Sequence, residues 1–344
     1  MIRKIYSGMT IILVVFLCLY IFLPGQVLAG KYEWKLAHEE LPGGFMDSVG
    51  NEFARLLKEK SGGQINLQIY PSGTLGSSED LVELTQYNAI QFNFADAGHL
   101  GTQIPQVQAM LLQYLFPQDM DVVMKVLRDG SFMKYLTPKF QEKKLEPLAN
   151  FTEGWQVWST NKLIKKPSDF KNFKMRTMSS KLLVESYALY GANPTPVPFA
   201  EVYSSLQLKM VDGQENPVFA IYDMKFYEVQ DYLIFGYTSP FFLTLIGNAQ
   251  FLNDLPADIK KIVKEASRDC VAFGFKWQEE FNQSRLDKIV KAKKDLKVVY
   301  LTTEEMGKFK ALAKKTHATY IKIGGDGARE ILDALQADIK NYSK

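Results

Sequence analysis

The chain has little of the side-chain chemistry on which most enzymes and metal sites depend. Its 344 residues include two cysteines and three histidines, and His38, His99 and His317 lie far apart in sequence. It shows no paired-histidine or paired-cysteine zinc motif, no phosphate-binding loop and no nucleophile elbow. We therefore expect no catalytic residue, no metal and no cofactor, and this absence favours capture of a ligand over turnover.

A strong charge of either sign is also missing. The 41 lysines and arginines nearly balance the 38 acids, which leaves a formal charge of +3. Such a balance does not provide the excess of basic residues with which proteins bind nucleic acid, so we expect no nucleic-acid partner. Beyond the first thirty residues we find no second long apolar run and no internal repeat. The length is sufficient for two domains.

The first thirty residues have the pattern of an export signal. Arg3 and Lys4 precede an apolar run from Met9 to Leu23, and Val27-Leu28-Ala29 precedes Gly30. This order is typical of a cleaved secretory signal peptide. An uncleaved anchor is the alternative, although a spanning helix needs about 20 apolar residues. We predict that residues 1–29 are removed and that the mature chain begins at Gly30 in the periplasm.

Strands and helices alternate along the rest of the chain. Within residues 32–95 the hydrophobic pattern switches in the order strand, helix, strand, helix, strand. This order predicts a parallel sheet covered on both faces. The pattern restarts after about Gly154 and continues to residue 208, which predicts a second lobe.

A long helix is predicted after Pro256, since proline is favoured at the first position of a helix. No proline interrupts the chain from there to Asp295. A continuous helix would be on the order of 60 Å long at ~1.5 Å per residue, which exceeds what one small domain needs. We expect it to run along both lobes, followed by helices at residues 302–322 and 327–343.

The cleft between the lobes is the expected binding site. Ligands of open α/β sheets bind beyond the carboxyl ends of the strands, and pockets favour domain interfaces. We expect lobe I to comprise residues 30–153 plus about 243–282. Lobe II should comprise residues 154–242 plus about 283–344.

Several motifs give the chain a resemblance to the solute-binding receptors of TRAP transporters, which are tripartite sodium-coupled carriers. The motifs are Gly62-Gly63, Tyr70-Pro71-Ser72-Gly73-Thr74-Leu75-Gly76, Lys174-Met175-Arg176, Gly191-Ala192-Asn193-Pro194-Thr195-Pro196, Glu201-Val202-Tyr203 and Val211-Asp212-Gly213-Gln214-Glu215-Asn216-Pro217. The resemblance implies an α/β, two-lobed periplasmic binding protein of type II-like fold with a long helix spanning both lobes. It also implies two partners: a small organic carboxylate or zwitterion, and the small and large integral membrane subunits of the transporter.

The resemblance implies a carboxylate clamp in the second lobe. Arg176 matches the family's strand arginine, whose guanidinium can donate two parallel hydrogen bonds to a carboxylate. Asn216 matches an asparagine that can donate to the same carboxylate. Without the resemblance, Arg176 reads as a surface ion-pair residue and Asn216 as a turn residue before Pro217.

One branch of the family, which binds ectoines, is the nearest in motif. Ala37-His38-Glu39-Glu40 looks like the segment in which an acid, here Glu40, holds the ring nitrogens of the solute. Phe199 and Phe219 match two aromatic residues that enclose the ring. The chain departs from this branch at His99, where the branch has phenylalanine, and at Phe199, where it has tryptophan.

For several other residues near the expected cleft, the sequence allows both a binding role and a structural one. Gln156 stands where many members have a second arginine, which argues against a strongly anionic solute. Asp96 ends a predicted strand and either faces the solute or caps a helix. Trp155 and Trp158 either stack on a solute or belong to the core, and Glu153 is interpreted as a hinge or surface residue.

These observations together favour a receptor for a carboxylate-bearing solute. The solute is either a zwitterion such as ectoine or a hydroxylated, keto or aromatic monocarboxylate. An exported enzyme on the same scaffold is the rival interpretation, and formation of a product would distinguish it. A purely structural periplasmic protein is a second rival, which saturable binding would exclude.

Overall fold

The computed structural model describes residues 31–344, so the expected signal peptide and its cleavage point lie outside the described residues. The strands are β1 Tyr32–Ala37, β2 Ile65–Tyr70, β3 Phe92–Asp96, β4 Leu145–Trp155, β5 Val157–Thr160, β6 Lys174–Thr177, β7 Asn193–Pro196, β8 Gly213–Asn216, β9 Tyr232–Phe235, β10 Pro240–Asn248 and β11 Lys297–Tyr300. The α-helices are α1 Phe45–Lys60, α2 Ser78–Gln86, α3 Ala97–Leu100, α4 Met120–Asp129, α5 Met133–Gln141, α6 Lys181–Leu189, α7 Val202–Gln207, α8 Val218–Asp223, α9 Ala249–Asp254, α10 Ala257–Ala292, α11 Thr303–Ala313, α12 Thr316–Gly324 and α13 Ala328–Tyr342. Over this part of the chain, no helix combines the length and the apolar character that crossing a membrane requires.

Each lobe is built on one sheet. The strand orders are β2-β1-β3-β10-β4 in the first and β11-β9-β5-β8-β6-β7 in the second. Strand β1 pairs in parallel with β2 and β3, as the alternating pattern predicts. Strand β10 lies antiparallel between β3 and β4. The expectation of a purely parallel sheet is therefore wrong, because the chain returning from the second lobe inserts β10 into the first sheet.

The chain passes between the lobes at three places before its C-terminal segment returns to the first lobe. It leaves the first sheet at Trp155, returns to it at Pro240 and finally follows helix α10. Helix α10 has 36 residues, about 54 Å at ~1.5 Å per residue. It packs against α1 and β4 in the first lobe and against α8 in the second. The predicted α/β fold with a long helix spanning two lobes is thereby confirmed.

The C-terminal segment differs from its expected place in lobe II. Helix α13 packs against α4 and α5 of the first lobe. The Asp338 carboxylate accepts hydrogen bonds from Ser131 Oγ at 2.8 Å and from the Phe132 N–H at 2.9 Å. The helix expected at residues 302–322 is also divided into α11 and α12. An amphipathic terminal helix lies on whichever apolar surface remains open, and its own sequence does not name that surface.

The two lobes touch at the edge of the cleft. The Gln108 side-chain oxygen, from the first lobe, accepts hydrogen bonds from Ser180 Oγ at 2.7 Å and from the Leu182 N–H at 3.0 Å in the second. All three residues are buried. The structure therefore holds the lobes in a closed arrangement.

Candidate functional site

A small cavity lies between the lobes, with about 320 Å³ of space, part of it open to solvent, among its lining side chains. Most of the lining comes from the carboxyl ends of strands or the turns that follow them, as in other open α/β sheets. The lining residues are Glu39, Glu40, Met46, His99, Glu153, Arg176, Met178, Phe199, Asn216, Ala220 and Phe241.

Arg176 is the basic residue that the second lobe contributes to the cavity lining. It lies near the end of β6, where its Nε donates to the Val197 carbonyl at 2.9 Å. The residue is only 2% exposed, and its Nη2 has no hydrogen-bond partner among residues 31–344. Burial lowers the pKa of Arg176 to about 10, so the guanidinium stays charged at neutral pH. Because a buried unpaired donor is costly, this arrangement fits an anionic group beside Nη2.

Asn216 and Glu215 end strand β8 beside this arginine. Asn216 lines the cavity, and its Nδ2 donates to the Gln214 side-chain oxygen. Glu215 is buried outside the cavity lining and accepts a hydrogen bond from the Tyr187 hydroxyl. Burial raises the pKa of Glu215 to about 7, against the opposing influence of Tyr187 and Arg176. Glu215 thus supplies negative charge near Arg176 from within the second lobe.

Two carboxyl groups of the first lobe, those of Glu40 and Glu153, meet in the cavity. Both are buried, both line the cavity and each influences the pKa of the other, while Glu40 Oε2 accepts the Met46 N–H at 2.7 Å. Burial is the main cause that raises the pKa of Glu40 to about 8 and that of Glu153 well above its usual value. The interpretation of Glu153 as a surface residue is wrong, since it is 2% exposed and lines the cavity. Its interpretation as a hinge residue stays a prediction.

Gly154 explains how Glu153 reaches this position. Its φ of +101° is unfavourable for residues with a side chain. A Cβ at Gly154 would lie 2.7 Å from both Asn282 Nδ2 and Gln278 Oε1 of helix α10. Asn282 Nδ2 also donates to the Glu153 carbonyl at 2.7 Å. The glycine therefore lets β4 approach the long helix, which fixes the backbone of Glu153.

A second charged cluster lies beside Glu40. His99 Nδ1 hydrogen-bonds Asp96 Oδ2 and lies 4.0 Å from Glu39 Oε1. Burial opposes the charged form of His99, but Asp96 and Glu39 outweigh it and raise its pKa to about 9. Asp96 Oδ1 accepts the N–H groups of Gly98 at 2.8 Å and His99 at 3.0 Å, so it caps helix α3 and does not line the cavity.

Ligand atoms of Glu39, Asp96 and His99 lie within 4.8 Å of one another, a spacing that could hold a metal ion. A metal ligated by the imidazole would have to displace its proton. Because Asp96 and Glu39 raise the pKa of His99 to about 9, the cluster as it stands is an imidazolium held between two carboxyl groups.

The aromatic residues of the cavity differ partly from those expected. Phe199 lines the cavity, as expected, and so does Phe241 at the start of β10. Phe219 does not, because its ring packs 5.6 Å from Trp277 and 6.2 Å from Phe281 on helix α10. In this structure Phe219 therefore joins the second lobe to the long helix.

Neither candidate tryptophan reaches the cavity. Trp158 is in the core of the second lobe, 1% exposed, with its Nε1 donating to the Tyr187 hydroxyl at 2.8 Å. Trp155 lines a separate surface cleft beside helix α10, where its ring packs 5.5 Å from Tyr237. Gln156 is buried and likewise absent from the cavity lining.

Sequence reasoning missed the cavity positions of Glu39, Glu153 and Phe241. Glu39 belongs to the motif Ala37-His38-Glu39-Glu40, in which only Glu40 was predicted to contact the solute. Glu153 ends an apolar strand, and the carboxyl ends of strands are where ligand-binding residues of such sheets gather. Phe241 opens a continuous apolar run, typical of a buried strand, that was not recognised as one.

We expect the ligand-free protein to lose stability as the pH rises from about 5 to about 8. Glu39, Glu40 and Glu215 have pKa values of about 7, 8 and 7, so the folded state keeps protons that the unfolded chain releases above its ordinary value near 4.5. Each such proton lowers the free energy of unfolding by about 1.4 kcal/mol per pH unit. His38, whose pKa is lowered by burial, opposes the trend below about pH 6.5. Urea unfolding across this range measures the slope.

Glu40→Gln should show a shallower slope than the wild type, because the amide does not titrate. The exposed Glu142→Gln serves as the control. A wild-type stability that rises between pH 6.5 and 8 would contradict the assignment of protonated buried carboxyls.

Two α/β lobes closed over a buried arginine and a group of acids define the class of two-lobed solute-binding proteins. The family model of bacterial extracellular solute-binding proteins, family 7 (DctP), matches residues 44–323. The chain belongs to this family. It is a solute-binding receptor of the TRAP type, in a family of binding proteins rather than enzymes.

Relatives are similar over nearly the whole chain. The ectoine/5-hydroxyectoine-binding periplasmic protein UehA of Ruegeria pomeroyi is 33% identical over 309 residues, covering 89% of this chain and 90% of UehA. The structure of the periplasmic ectoine-binding protein of the TeaABC TRAP transporter of Halomonas elongata has a TM-score of 0.87 at 32% identity, covering 90% and 99% of the two chains. A TRAP periplasmic solute-binding protein from Desulfovibrio salexigens with bound orotic acid has a TM-score of 0.86 at 29% identity, with the same coverage.

Proposed function

We propose that the cleft binds a small zwitterion, with its carboxylate at Arg176 and Asn216 and its cationic group at Glu40. The observation that carries this proposal is the buried Nη2 of Arg176, which lacks a partner within the described residues. The opposite wall of the same cavity presents Glu39, Glu40 and Glu153. A solute with one charge of each sign can satisfy both walls at once.

Ectoines are the leading candidates because they join a carboxylate to a cationic ring that carries N–H donors. The names of UehA and of the Halomonas elongata protein support this choice. Phe199 and Phe241 supply apolar cover for a ring, and an aromatic face can also attract a cation. Met46 and Met178 add adaptable apolar surface.

A planar or hydroxylated monocarboxylate is the second candidate. The two phenylalanines of the cavity would cover an aromatic ring as well as a cationic one, and the Desulfovibrio salexigens relative was solved with orotic acid. The imidazolium of His99 could donate to a hydroxyl or keto oxygen. This candidate leaves the first-lobe acids without a cation, which makes it the weaker fit.

The identity of the solute is tested by mass spectrometry of compounds released when the purified protein is denatured. Calorimetric titration with ectoine, 5-hydroxyectoine and orotate then ranks the candidates on ligand-free protein. We expect an ectoine to bind with a one-to-one stoichiometry. Tight binding of orotate without binding of either ectoine would favour the second candidate.

We further infer that the protein delivers its solute to the small and large integral membrane subunits of a transporter and does not alter it. The family assignment supports this role. After prolonged incubation with protein, the NMR spectrum of a bound and released solute should be unchanged. A new product would favour the rival interpretation, an exported enzyme on the same scaffold.

We expect the exported protein to begin at or near Gly30. The basic start and apolar run of residues 1–29 support removal of a signal peptide. Intact-mass measurement of protein from the periplasmic fraction checks this prediction. A mass that includes residues 1–29 would show that the segment is retained.

A further inference from the structure

We propose that Glu40 and Glu153 form a paired-carboxyl site that holds one shared proton while the cavity is empty and exchanges it for a cationic N–H group of the solute. This inference rests on the proposed function, because it specifies how the cationic end is recognised. It assigns Glu153 as a second residue that determines specificity. Hereafter these two side chains are called the carboxyl pair.

The contact between the two side chains requires a proton. Both groups are acceptors when ionised, so a hydrogen bond between Glu40 and Glu153 forms only if one of them is protonated. Two ionised carboxylates at this distance would repel each other in a buried site. Because both carboxyl groups are buried and line the same cavity, we assign one shared proton to the pair.

The free hydrogen-bonding capacity of the pair points toward a ligand. Glu153 Oε1 is buried and has no partner among residues 31–344. Glu40 Oε2 is already used by the Met46 N–H, which fixes its direction. An unsatisfied buried acceptor at the wall of a cavity is a position that a donor from a solute can fill.

The backbone fixes the spacing of the carboxyl pair. Glu153 lies in strand β4, held by Asn282 through its carbonyl and by the close approach of Gly154 to helix α10. Glu40 is equally constrained, since a Cβ at Gly44 would lie 2.4 Å from its Oε2. Two acceptors at a fixed spacing suit a planar cation with two N–H donors, such as an amidinium, better than a single ammonium.

The carboxyl pair is surrounded mainly by acidic groups, so it loses its proton only when a solute brings a positive charge. Acidic groups outnumber basic ones in its surroundings, so the second negative charge is opposed while the cavity is empty. A bound cation supplies the missing positive charge, and the proton leaves to solvent. To these surroundings the first lobe contributes His38 and Glu39 between β1 and α1, Asp47 in the first turn of α1, and Asp96 and His99 at α3. The second lobe contributes Arg176 on β6 and Asp223 on α8. Helix α10 contributes Arg285, which pairs with Asp223, and the neutral Gln278 and Asn282.

Proton release makes solute affinity depend on pH. If one proton leaves for each cation bound, the association constant rises up to tenfold per pH unit below the pKa of the pair. A solute that carries only a carboxylate does not release this proton. The two kinds of solute therefore differ in the pH dependence of their binding as well as in affinity.

Titration calorimetry with ectoine in buffers of different ionisation enthalpy tests the exchange. We expect release of about one proton per ectoine near pH 6.5 for the wild type. Glu153→Gln should release clearly less than the wild type, because only the buried Glu40 is left to give up a proton, while the exposed Glu142→Gln should match the wild type. Equal proton release by wild type and Glu153→Gln would overturn the proposal.

A second measurement needs no solute and so separates this inference from the proposed function. The infrared spectrum of the ligand-free protein at neutral pH should contain a protonated-carboxyl band of the pair, seen as the difference from the variant spectra because Glu39 and Glu215 also absorb, and this band should be lost in both Glu153→Gln and Glu40→Gln. If ectoine does not bind but the band is lost in both variants, the choice of solute fails and the shared proton stands. If neither variant changes the band, the carboxyl pair is refuted.

Discussion

Arg176→Ala is expected to weaken solute binding by about 2–5 kcal/mol, which corresponds to a factor of about 30 to 5,000. The guanidinium is the cavity cation of the second lobe, and its unpaired Nη2 is available to the carboxylate. Removing it would leave that carboxylate facing a wall with no charged donor. Calorimetric titration with ectoine, or with the compound that co-purifies, measures the loss.

Arg176→Lys should also weaken solute binding, because an ammonium does not reproduce the two parallel donors of a planar guanidinium. Arg128→Ala is the matched control, since Arg128 is an exposed arginine paired with Asp129. The melting temperature of the ligand-free Arg176 variants should stay close to that of the wild type. Full-strength binding by either variant would show that Arg176 does not hold the carboxylate.

We expect zwitterions and monocarboxylates to raise the melting temperature, and C4-dicarboxylates such as succinate and fumarate not to raise it. Arg176 would pair with one carboxylate of succinate, while the second would meet Glu39, Glu40 and Glu153. Gln156 offers no compensating cation and does not line the cavity. An unpaired charge in a closed cleft costs several kcal/mol. A thermal-shift panel of ectoines, amino-acid-like zwitterions, orotate and dicarboxylates measures this selectivity.

Glu40→Gln provides the internal comparison for the panel. This substitution should weaken the binding of zwitterions more than the binding of plain monocarboxylates, because only a zwitterion presents a cation to that side chain. Strong stabilisation by succinate that is unaffected by Glu40→Gln would mean that the first-lobe half of the site is assigned incorrectly.

The fold could be predicted where local patterns decide it. The alternation of strands and helices over residues 32–95 and the unbroken run after Pro256 both follow local periodicity, and both match the structure. The insertion of β10 and the place of α13 could not be predicted in this way. Each depends on which distant surface a segment covers, and the segment's own sequence carries no record of that surface.

The candidate site shows the same division. Motif position identified Arg176, Asn216, Glu40, Phe199 and His99, and the structure brings all five to one cavity. Motif position also selected Phe219, and nearness to the lobe crossover selected Trp158, but tertiary packing places both rings outside the cavity. Glu40, after β1, and Glu153, in β4, lie more than a hundred positions apart in the chain, so their pairing becomes visible only in three dimensions.

The Gln108 contact between the lobes has a consequence for how tightly the receptor binds its solute. Its hydrogen bonds to Ser180 and Leu182 do not involve the cavity lining, so they favour the closed shape even when no cargo is present. A larger share of closed empty receptor raises the apparent affinity for scarce cargo, because less of the binding free energy is used to close the lobes. If the receptor docks on a transporter in its closed shape, empty closed copies would compete with loaded ones. Contacts between the lobes, which also include the hydrogen bond from the Tyr190 hydroxyl to Gln113 Oε1, would then set a compromise between affinity for scarce solute and the rate of delivery.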